Sequence, residues 1–189
     1  MPMSRGERVV TQRLVLREFE EGDWLPTYEY QRLPGYLEYY PWTEVSPEDV
    51  QEFVGRFIRW RHTDVRHKYQ LAITLASTGE LIGNVGVRAE VPGAPTAELG
   101  FELSPSQWGR GYATEAAGAM LDFGFRKLQH HRIEAHCVAE NMRSARVLTK
   151  IGMRQEGRLR EAEFFRDRWW DVVIFGSLAT DRFPAATAR

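Results

Sequence analysis

At 189 residues, with 43% hydrophobic and 12% aromatic side chains, the chain is long and apolar enough to bury a core, and we expect one domain spanning residues 1–189. Lysine and arginine number 25 against 26 aspartates and glutamates, and the net charge of −1 argues against a nucleic-acid-binding protein. A single cysteine, Cys137, excludes an internal disulfide and favours the reducing cytoplasm, and no apolar run has the length of a signal peptide or a membrane span.

The first predicted elements are a strand and two helices. Residues 11–19 alternate apolar and polar side chains, which predicts a strand. Asp23 stands where it could cap a short helix at residues 24–30. Ser46 is a second candidate cap, and the apolar stripe behind it predicts a helix over residues 46–62.

Between these two helices lies an aromatic segment, residues 32–45, whose prolines and glycine predict no regular element. An aromatic cluster on a loop can plug the core or line a binding site, and the residues alone leave both readings open. The aromatic side chains are Tyr36, Tyr39, Tyr40 and Trp42.

Three strands then form a predicted antiparallel meander, with a hairpin connection at residues 76–79. They are expected at residues 69–75, 81–87 and 97–103. The remaining elements are a helix, a strand, a short helix and two strands, expected at residues 114–128, 132–138, 144–151, 154–165 and 168–178, with a turn at residues 166–168.

The strand at residues 132–138 is separated from the strand at 97–103 by a helix, which favours parallel pairing between the two. We therefore predict an α/β fold, with a mixed, mostly antiparallel central sheet and helices packed on both faces. Residues 10–180 are expected to form the core of the domain. Residues 183–189 offer little to bury and are expected to be a loose tail.

The loop between the strand at 97–103 and the next helix has the pattern of an anion site. Gly109 and Gly111 let the backbone turn its N–H groups outward, the helix start adds a positive dipole end, and Arg110 adds a cation. The loop lacks the Gly-Lys-Ser/Thr ending of a P-loop, and Thr114 stands where a dinucleotide fingerprint needs glycine. A phosphate is the expected ligand, although glycines here can also serve tight packing alone.

The loop resembles the pyrophosphate-binding motif of the GNAT acetyltransferases, Arg/Gln-x-x-Gly-x-Gly/Ala, with Trp108 in place of the usual first residue, then Gly111 and Ala113. Together with residues 141–148, it is similar to the RimJ/RimL branch, the ribosomal-protein N-terminal acetyltransferases. The resemblance extends over about residues 11–178. It implies the GNAT fold with a splayed parallel strand pair, and acetyl-CoA as the co-substrate.

The same resemblance implies how acetyl-CoA is held. The pyrophosphate would lie on the glycine loop, the pantetheine arm in the gap between the parallel strands, and the thioester beside the start of the short helix. The cofactor-binding residues are then Leu103, Trp108, Gly109, Arg110, Gly111, Tyr112, Ala113, Asn141 and Ser144.

Acetyl transfer to an amine needs a held donor, a deprotonated amine and a proton for the leaving thiolate, but no metal. The five histidines show no metal-ligand spacing. The resemblance implies Ser144 as the proton donor, with a helix-capping role equally open. It favours Glu163 as the general base, with Glu102 and Glu98 as rivals because other GNAT enzymes place the base on that strand.

The resemblance also places the aromatic segment in one wall of the acceptor groove, which implies that Tyr36, Tyr40 and Trp42 bind substrate. The leading prediction is an N-acetyltransferase acting on a protein N-terminal amine. A small amine, such as an amino acid, polyamine or antibiotic, is the alternative acceptor, and a non-catalytic acyl-CoA-binding module is the alternative function. No nucleic-acid or membrane partner is expected, and a homodimer is compatible with the resemblance.

Overall fold

The computed structural model describes residues 8–182. Its strands are β1 Val9–Val10, β2 Leu14–Arg17, β3 Lys68–Leu75, β4 Leu81–Arg88, β5 Thr96–Leu103, β6 Arg132–Val138, β7 Arg154–Phe165 and β8 Arg168–Leu178. Its helices are α1 Trp24–Gln31, α2 Pro47–Arg61, α3 Tyr112–Arg126, α4 Met142–Lys150 and α5 Ala179–Arg182. Short 3₁₀ turns lie at Glu21–Asp23, Tyr36–Tyr39 and Pro105–Gln107, and the short β1 and α5 were not predicted. Among the described helices, none is long and apolar enough to cross a membrane.

One sheet contains all eight strands of the described residues, in the order β1-β2-β3-β4-β5-β6-β8-β7. Every neighbouring pair is antiparallel except β5 and β6, which run parallel and pair only through residues 96–98 and 132–134. Beyond these residues the two strands diverge, so residues 99–103 of β5 have no strand beside them on the β6 side. The predicted α/β fold with one splayed parallel pair is confirmed.

Helices cover both faces of this sheet. Successive residues of a strand point to opposite faces, and in β3 Ile73 packs in the core under α3 while Ala72 packs in the core under α1 and α2. Met120 of α3 is fully buried on the first face. On the second face, Phe57 of α2 packs against Phe19, with ring centroids 5.2 Å apart. Leu99 and Leu103 of β5 pack in the core under α3, which anchors the strand that carries Glu102.

The starts of α1 and α2 differ from each other. At α2, Ser46 Oγ accepts from the Asp49 N–H at 3.1 Å and the Asp49 carboxylate accepts from the Ser46 N–H at 3.0 Å, which is the predicted cap. Asp23 does not cap α1, because its carboxylate accepts from the Arg17 guanidinium at 2.7 and 2.8 Å and from the Glu20 N–H at 2.8 Å. Asp23 therefore occupies the predicted N-cap position of α1, but its side chain does not cap the helix, since the ion pair holds it in the preceding turn.

Two turns with left-handed backbone shape the region around the site. Gly35, with a φ of +86°, leads into the 3₁₀ turn at Tyr36–Tyr39, where no regular element was expected. Arg166 and Asp167, with φ values of 52° and 55°, form the two-residue turn that joins β7 to β8, as the sequence predicted. The tail predicted at residues 183–189 lies outside the described residues.

Candidate active site

A cavity of about 390 Å³ lies at the end of β5, beyond the point where its pairing with β6 stops. Four segments that are distant in sequence meet around it: the aromatic segment, β5, the glycine loop with the start of α3, and α4. The lining residues are Gly35, Tyr36, Glu38, Tyr39, Tyr40, Phe101, Glu102, Leu103, Gln107, Trp108, Gly109, Gly111, Tyr112, Ala113, Thr114, Asn141, Arg143, Ser144, Arg146, Val147 and Lys150.

The glycine loop has the left-handed backbone that its sequence predicted. Gly109 and Gly111 have φ values of +76° and +83°, and Gly111 is the N-cap of α3 without a side-chain cap. The N–H groups in the first turn of a helix have no intrahelical partner, so the start of α3 offers donors to an anion in the cavity. Arg110 itself is exposed and does not line the cavity.

An ion pair behind the loop holds it against the sheet. Arg13 donates from Nη1 to the Arg110 carbonyl at 2.9 Å and from Nε to the Glu115 carboxylate at 2.7 Å. Thr11 Oγ1 donates to the same carboxylate at 2.6 Å. Although partial burial acts to raise it, the pKa of Glu115 lies below its usual value because Thr11 and Arg13 donate to the charged form. The loop is therefore tied to the strand side of the molecule before any ligand binds.

Trp108, which replaces the usual Arg or Gln of the motif, has a definite place. Its Nε1–H donates to the Leu103 carbonyl at 2.8 Å, which joins the loop to the end of β5. The Arg143 guanidinium lies 4.6 Å from the centre of its ring, within the range of a cation–π contact. Trp108 thus connects β5 and α4 across the cavity.

The start of α4 separates two roles that the sequence left open for Ser144. Asn141 is the N-cap, because its Oδ1 accepts from the Ser144 N–H at 3.1 Å. The Ser144 side chain is not the cap and lines the cavity. Three basic residues of α4 that sequence reasoning missed also line it: Arg143, Arg146 and Lys150. Their three- and four-residue spacing puts them on one helix face, a signal that is visible in the sequence.

Glu102, on β5, is the centre of a cluster of hydrogen-bond donors. Its Oε1 accepts from the Tyr30 hydroxyl at 2.6 Å, from Gln31 Nε2 at 3.0 Å and from Asn84 Nδ2. Its Oε2 accepts from the Tyr36 hydroxyl at 2.5 Å. The carboxylate is therefore saturated by neutral donors that come from α1, β4 and the aromatic segment.

The tyrosines of this cluster remain protonated. Burial, together with the negative charge of Glu102, raises the pKa of Tyr30 and of Tyr36 well above its usual value. The same two causes, burial first, raise the pKa of Tyr40, whose hydroxyl lies 3.4 Å from Glu102 Oε2. Hydroxyl groups in this state can donate to Glu102 and accept from a ligand at the same time.

The three aromatic residues predicted to bind substrate form one stack, of which two members reach the cavity. The Tyr36 and Tyr40 rings stack at 5.3 Å, and the Trp42 ring lies 5.0 Å from that of Tyr40. Tyr36 and Tyr40 line the cavity, whereas Trp42 lies outside it with 48% of its surface exposed. The missed Tyr39 lines the cavity too, and its hydroxyl donates to the Glu140 carbonyl at 3.2 Å.

Two of the predicted candidates for the base lie away from the cavity. Glu163 is exposed on β7, opposite Trp170 of β8, and Glu98 pairs with Arg88 at 3.1 Å. Cys137 on β6 is half-buried, and burial raises the pKa of its thiol to about 11, which keeps it protonated. Within residues 8–182 no group of three or more His, Cys, Asp or Glu side chains is placed to hold a metal ion.

Comparisons with known proteins identify the family of the chain. The family profile described as an acetyltransferase (GNAT) domain matches residues 13–154. The chain is 36% identical over 170 residues to the uncharacterized N-acetyltransferase YnaD of Bacillus subtilis, covering 90% of this chain and 96% of that protein. It is 30% identical over 99 residues to the ribosomal-protein-serine acetyltransferase of Escherichia coli, covering 52% of this chain and 55% of that enzyme.

A solved structure extends the likeness to the whole fold. The spermidine N-acetyltransferase from Vibrio cholerae, in complex with CoA and spermine, superposes with a TM-score of 0.76 at 24% identity, covering 90% of this chain and 98% of that one. The relatives therefore differ in acceptor, a ribosomal protein in one case and a polyamine in the other. The chain belongs to the GNAT acetyltransferases and is an acetyl-CoA-dependent N-acetyltransferase.

Proposed function

We propose that the protein transfers the acetyl group of acetyl-CoA to a primary amine that enters along Tyr36, Tyr39 and Tyr40, and that this amine is the α-amine of a protein N-terminus. One observation carries the proposal. A single cavity joins an uncapped helix start, the open half of β5 and a buried carboxylate cluster, so donor and acceptor would meet inside it.

The residues present fit the parts of acetyl-CoA. The first turn of α3 and the cations Arg143, Arg146 and Lys150 suit its phosphate groups, because both supply donors to anions. Residues 99–103 of β5 lack a strand on one side, which suits the amides of the pantetheine arm. The thioester would then lie near Ser144, whose hydroxyl would give a proton to the leaving sulfur.

For the base, the geometry favours Glu102 over Glu163. Glu102 lines the cavity and Glu163 does not. Because neutral donors occupy its oxygens, we propose that a proton reaches Glu102 through Tyr36: the hydroxyl accepts the proton of the amine and passes its own to the carboxylate. Glu163 stays the alternative prediction for the base.

Two features support an α-amine over a polyamine. An α-amine, with a pKa of about 8, needs less help to lose its proton than an amine with a pKa near 10. The match to a ribosomal-protein acetyltransferase points the same way.

The test is acetyl transfer from acetyl-CoA, read by mass spectrometry, against a pool of N-terminal peptides, free amino acids and spermidine. Calorimetric binding of acetyl-CoA is the control. We expect a product on a peptide α-amine. A product on spermidine alone would replace the proposed acceptor, and binding without any product would favour a non-catalytic module. Location in the cytoplasm and a homodimeric state stay predictions, the second checked by light scattering.

A further inference from the structure

Arg166, in the turn between β7 and β8, reaches across to the aromatic segment. Its guanidinium donates to the carbonyls of Leu37, of Glu38 at 3.4 Å and of Trp42 at 3.2 Å. Three carbonyls of one short segment thus converge on one side chain that is more than 120 residues away in sequence. Arginine suits this place because its planar head offers five N–H donors in a fixed fork, whereas lysine offers one point charge.

The bonded carbonyls lie within, or next to, the part of the segment that lines the cavity. Leu37 and Glu38 lie between the cavity residues Tyr36 and Tyr39, and Trp42 packs on Tyr40. The Leu37 carbonyl also accepts from the Tyr40 N–H at 3.0 Å, and carbonyls at the C-terminal end of such a turn carry partial negative charge, so a cation there is favourable. Arg166 therefore fixes the backbone from which the aromatic wall projects.

Other contacts hold the same hairpin to the same segment. The Tyr39 ring meets the Trp170 ring edge-on, with centroids 6.0 Å apart. Arg168 donates to the Glu140 carboxylate at 3.1 Å, and the Glu140 carbonyl accepts from the Tyr39 hydroxyl. The hairpin, the aromatic segment and the loop before α4 are thus joined by direct contacts at the acceptor end of the cavity.

The backbone conformation of Arg166 is one that arginine seldom adopts. A φ of 52° is left-handed, a conformation that glycine, asparagine and aspartate adopt more readily than arginine. Arginine occupies this turn at a conformational cost, and its contacts with the three carbonyls offset that cost. The turn itself does not require it.

We infer that Arg166 is a positioning residue for the acceptor: it fixes the aromatic segment, so that acceptor binding depends on it and acetyl-CoA binding does not. The inference rests on the proposed entry of the amine along the tyrosines. It assigns specificity for the acceptor to a turn that contacts neither the glycine loop nor Glu102.

The test variant is Arg166→Asn. Asparagine suits the left-handed turn, so the hairpin is kept, but its side chain is too short to reach the carbonyls. We expect the KM for the acceptor to rise roughly 10- to 100-fold, as loss of hydrogen bonds from a charged donor would give, with the Kd for acetyl-CoA unchanged. Arg166→Lys should lie in between. The matched control is Arg160→Asn, exposed on the same β7, which should leave both constants unchanged.

A second measurement does not need activity. Hydrogen exchange of the amides at residues 36–42 should be faster in Arg166→Asn than in the parent, while exchange in α3 stays the same. Unchanged exchange at residues 36–42, an unchanged acceptor KM, or an equal loss of donor and acceptor binding would each overturn the inference. If the parent protein acetylates no amine, the proposed function fails, and the exchange data still decide whether Arg166 holds the segment.

Discussion

The two sides of the cavity are built from different parts of the polypeptide. The glycine-loop side, residues 103–114 with the start of α4, presents backbone groups. Near neighbours arrange much of it: Trp108 bonds the carbonyl five residues before it, and Asn141 accepts from the N–H three residues after it. Arg13 adds one distant support, at the Arg110 carbonyl. On the aromatic side, residues 36–42 with Glu102, side chains meet from far apart, since Tyr30 bonds a carboxylate 72 residues away.

This difference has a functional consequence. Backbone N–H groups are the same whatever the side chains are. They therefore suit acetyl-CoA, the acetyl donor that is used in every turnover. The aromatic side can change its acceptor by changing side chains while the donor site stays intact. We therefore expect substitutions on the glycine-loop side to abolish acetyl-CoA binding and those on the aromatic side to change turnover and acceptor binding.

The largest effect should come from Gly111→Val. Its φ of +83° is strained for a β-branched residue, and a Cβ would lie 3.3 Å from the Arg13 guanidinium, so the turn that aims the N–H groups would be lost. Calorimetry should detect no acetyl-CoA binding, while circular dichroism stays that of the parent. Gly22→Val is the control, because a Cβ there has open space and φ is not left-handed. Equal affinity in folded Gly111→Val would contradict the backbone site.

The next largest effect separates the two candidate bases. Glu102→Gln should lower kcat by roughly 10²- to 10⁴-fold, with acetyl-CoA affinity unchanged. Glu163→Gln, exposed on β7, should change kcat by less than about twofold, as surface substitutions usually do. Steady-state kinetics on both variants decides the matter. The reverse pattern would restore Glu163 as the base and make Glu102 an anchor for the tyrosines.

The contrast between contacts of near neighbours and contacts of distant residues also explains which features the sequence could predict. The bounds of β6 at Arg132–Val138 matched, and the glycine loop was predicted, because periodicity and a left-handed glycine are local properties. The cluster around Glu102 was not predicted. The sequence placed Tyr30 in a predicted helix and Asn84 in a predicted strand. The alternation of apolar and polar residues does not tell which residues of different elements contact each other.

The contacts that the sequence did not predict also depend on residues from different elements. Asp23 had the local pattern of a cap, but Arg17 on the neighbouring strand took its carboxylate. Arg166 was predicted as a turn residue, which it is, yet its contacts with the aromatic segment depend on the packed sheet. Local chemistry is visible in one sequence, whereas competition between distant partners is visible only in the fold.

A smaller effect should separate catalysis from capping at the start of α4. Ser144→Ala should lower kcat about 100-fold, the lower end for loss of a general acid, without changing Tm, because Asn141 is the cap. Asn141→Ala should instead lower the free energy of unfolding by about 1 kcal/mol. Kinetics and thermal unfolding on both variants give the comparison. A Tm loss in Ser144→Ala as large as that in Asn141→Ala would assign the hydroxyl to the helix rather than to the thioester.

The smallest effect concerns the support of the glycine loop by Glu115. Its pKa is below the usual value in the folded state, so its contribution is fully present above the unfolded pKa of about 4.3 and is lost as pH falls through the folded pKa. Glu115→Gln should therefore lower the free energy of unfolding at pH 7 by about 1 kcal/mol, kept small because Arg13 is half exposed. Urea unfolding from pH 7 to pH 3 should show the difference shrinking toward zero. A difference that stays constant with pH would mean that Glu115 supports the loop through packing and not through its charge.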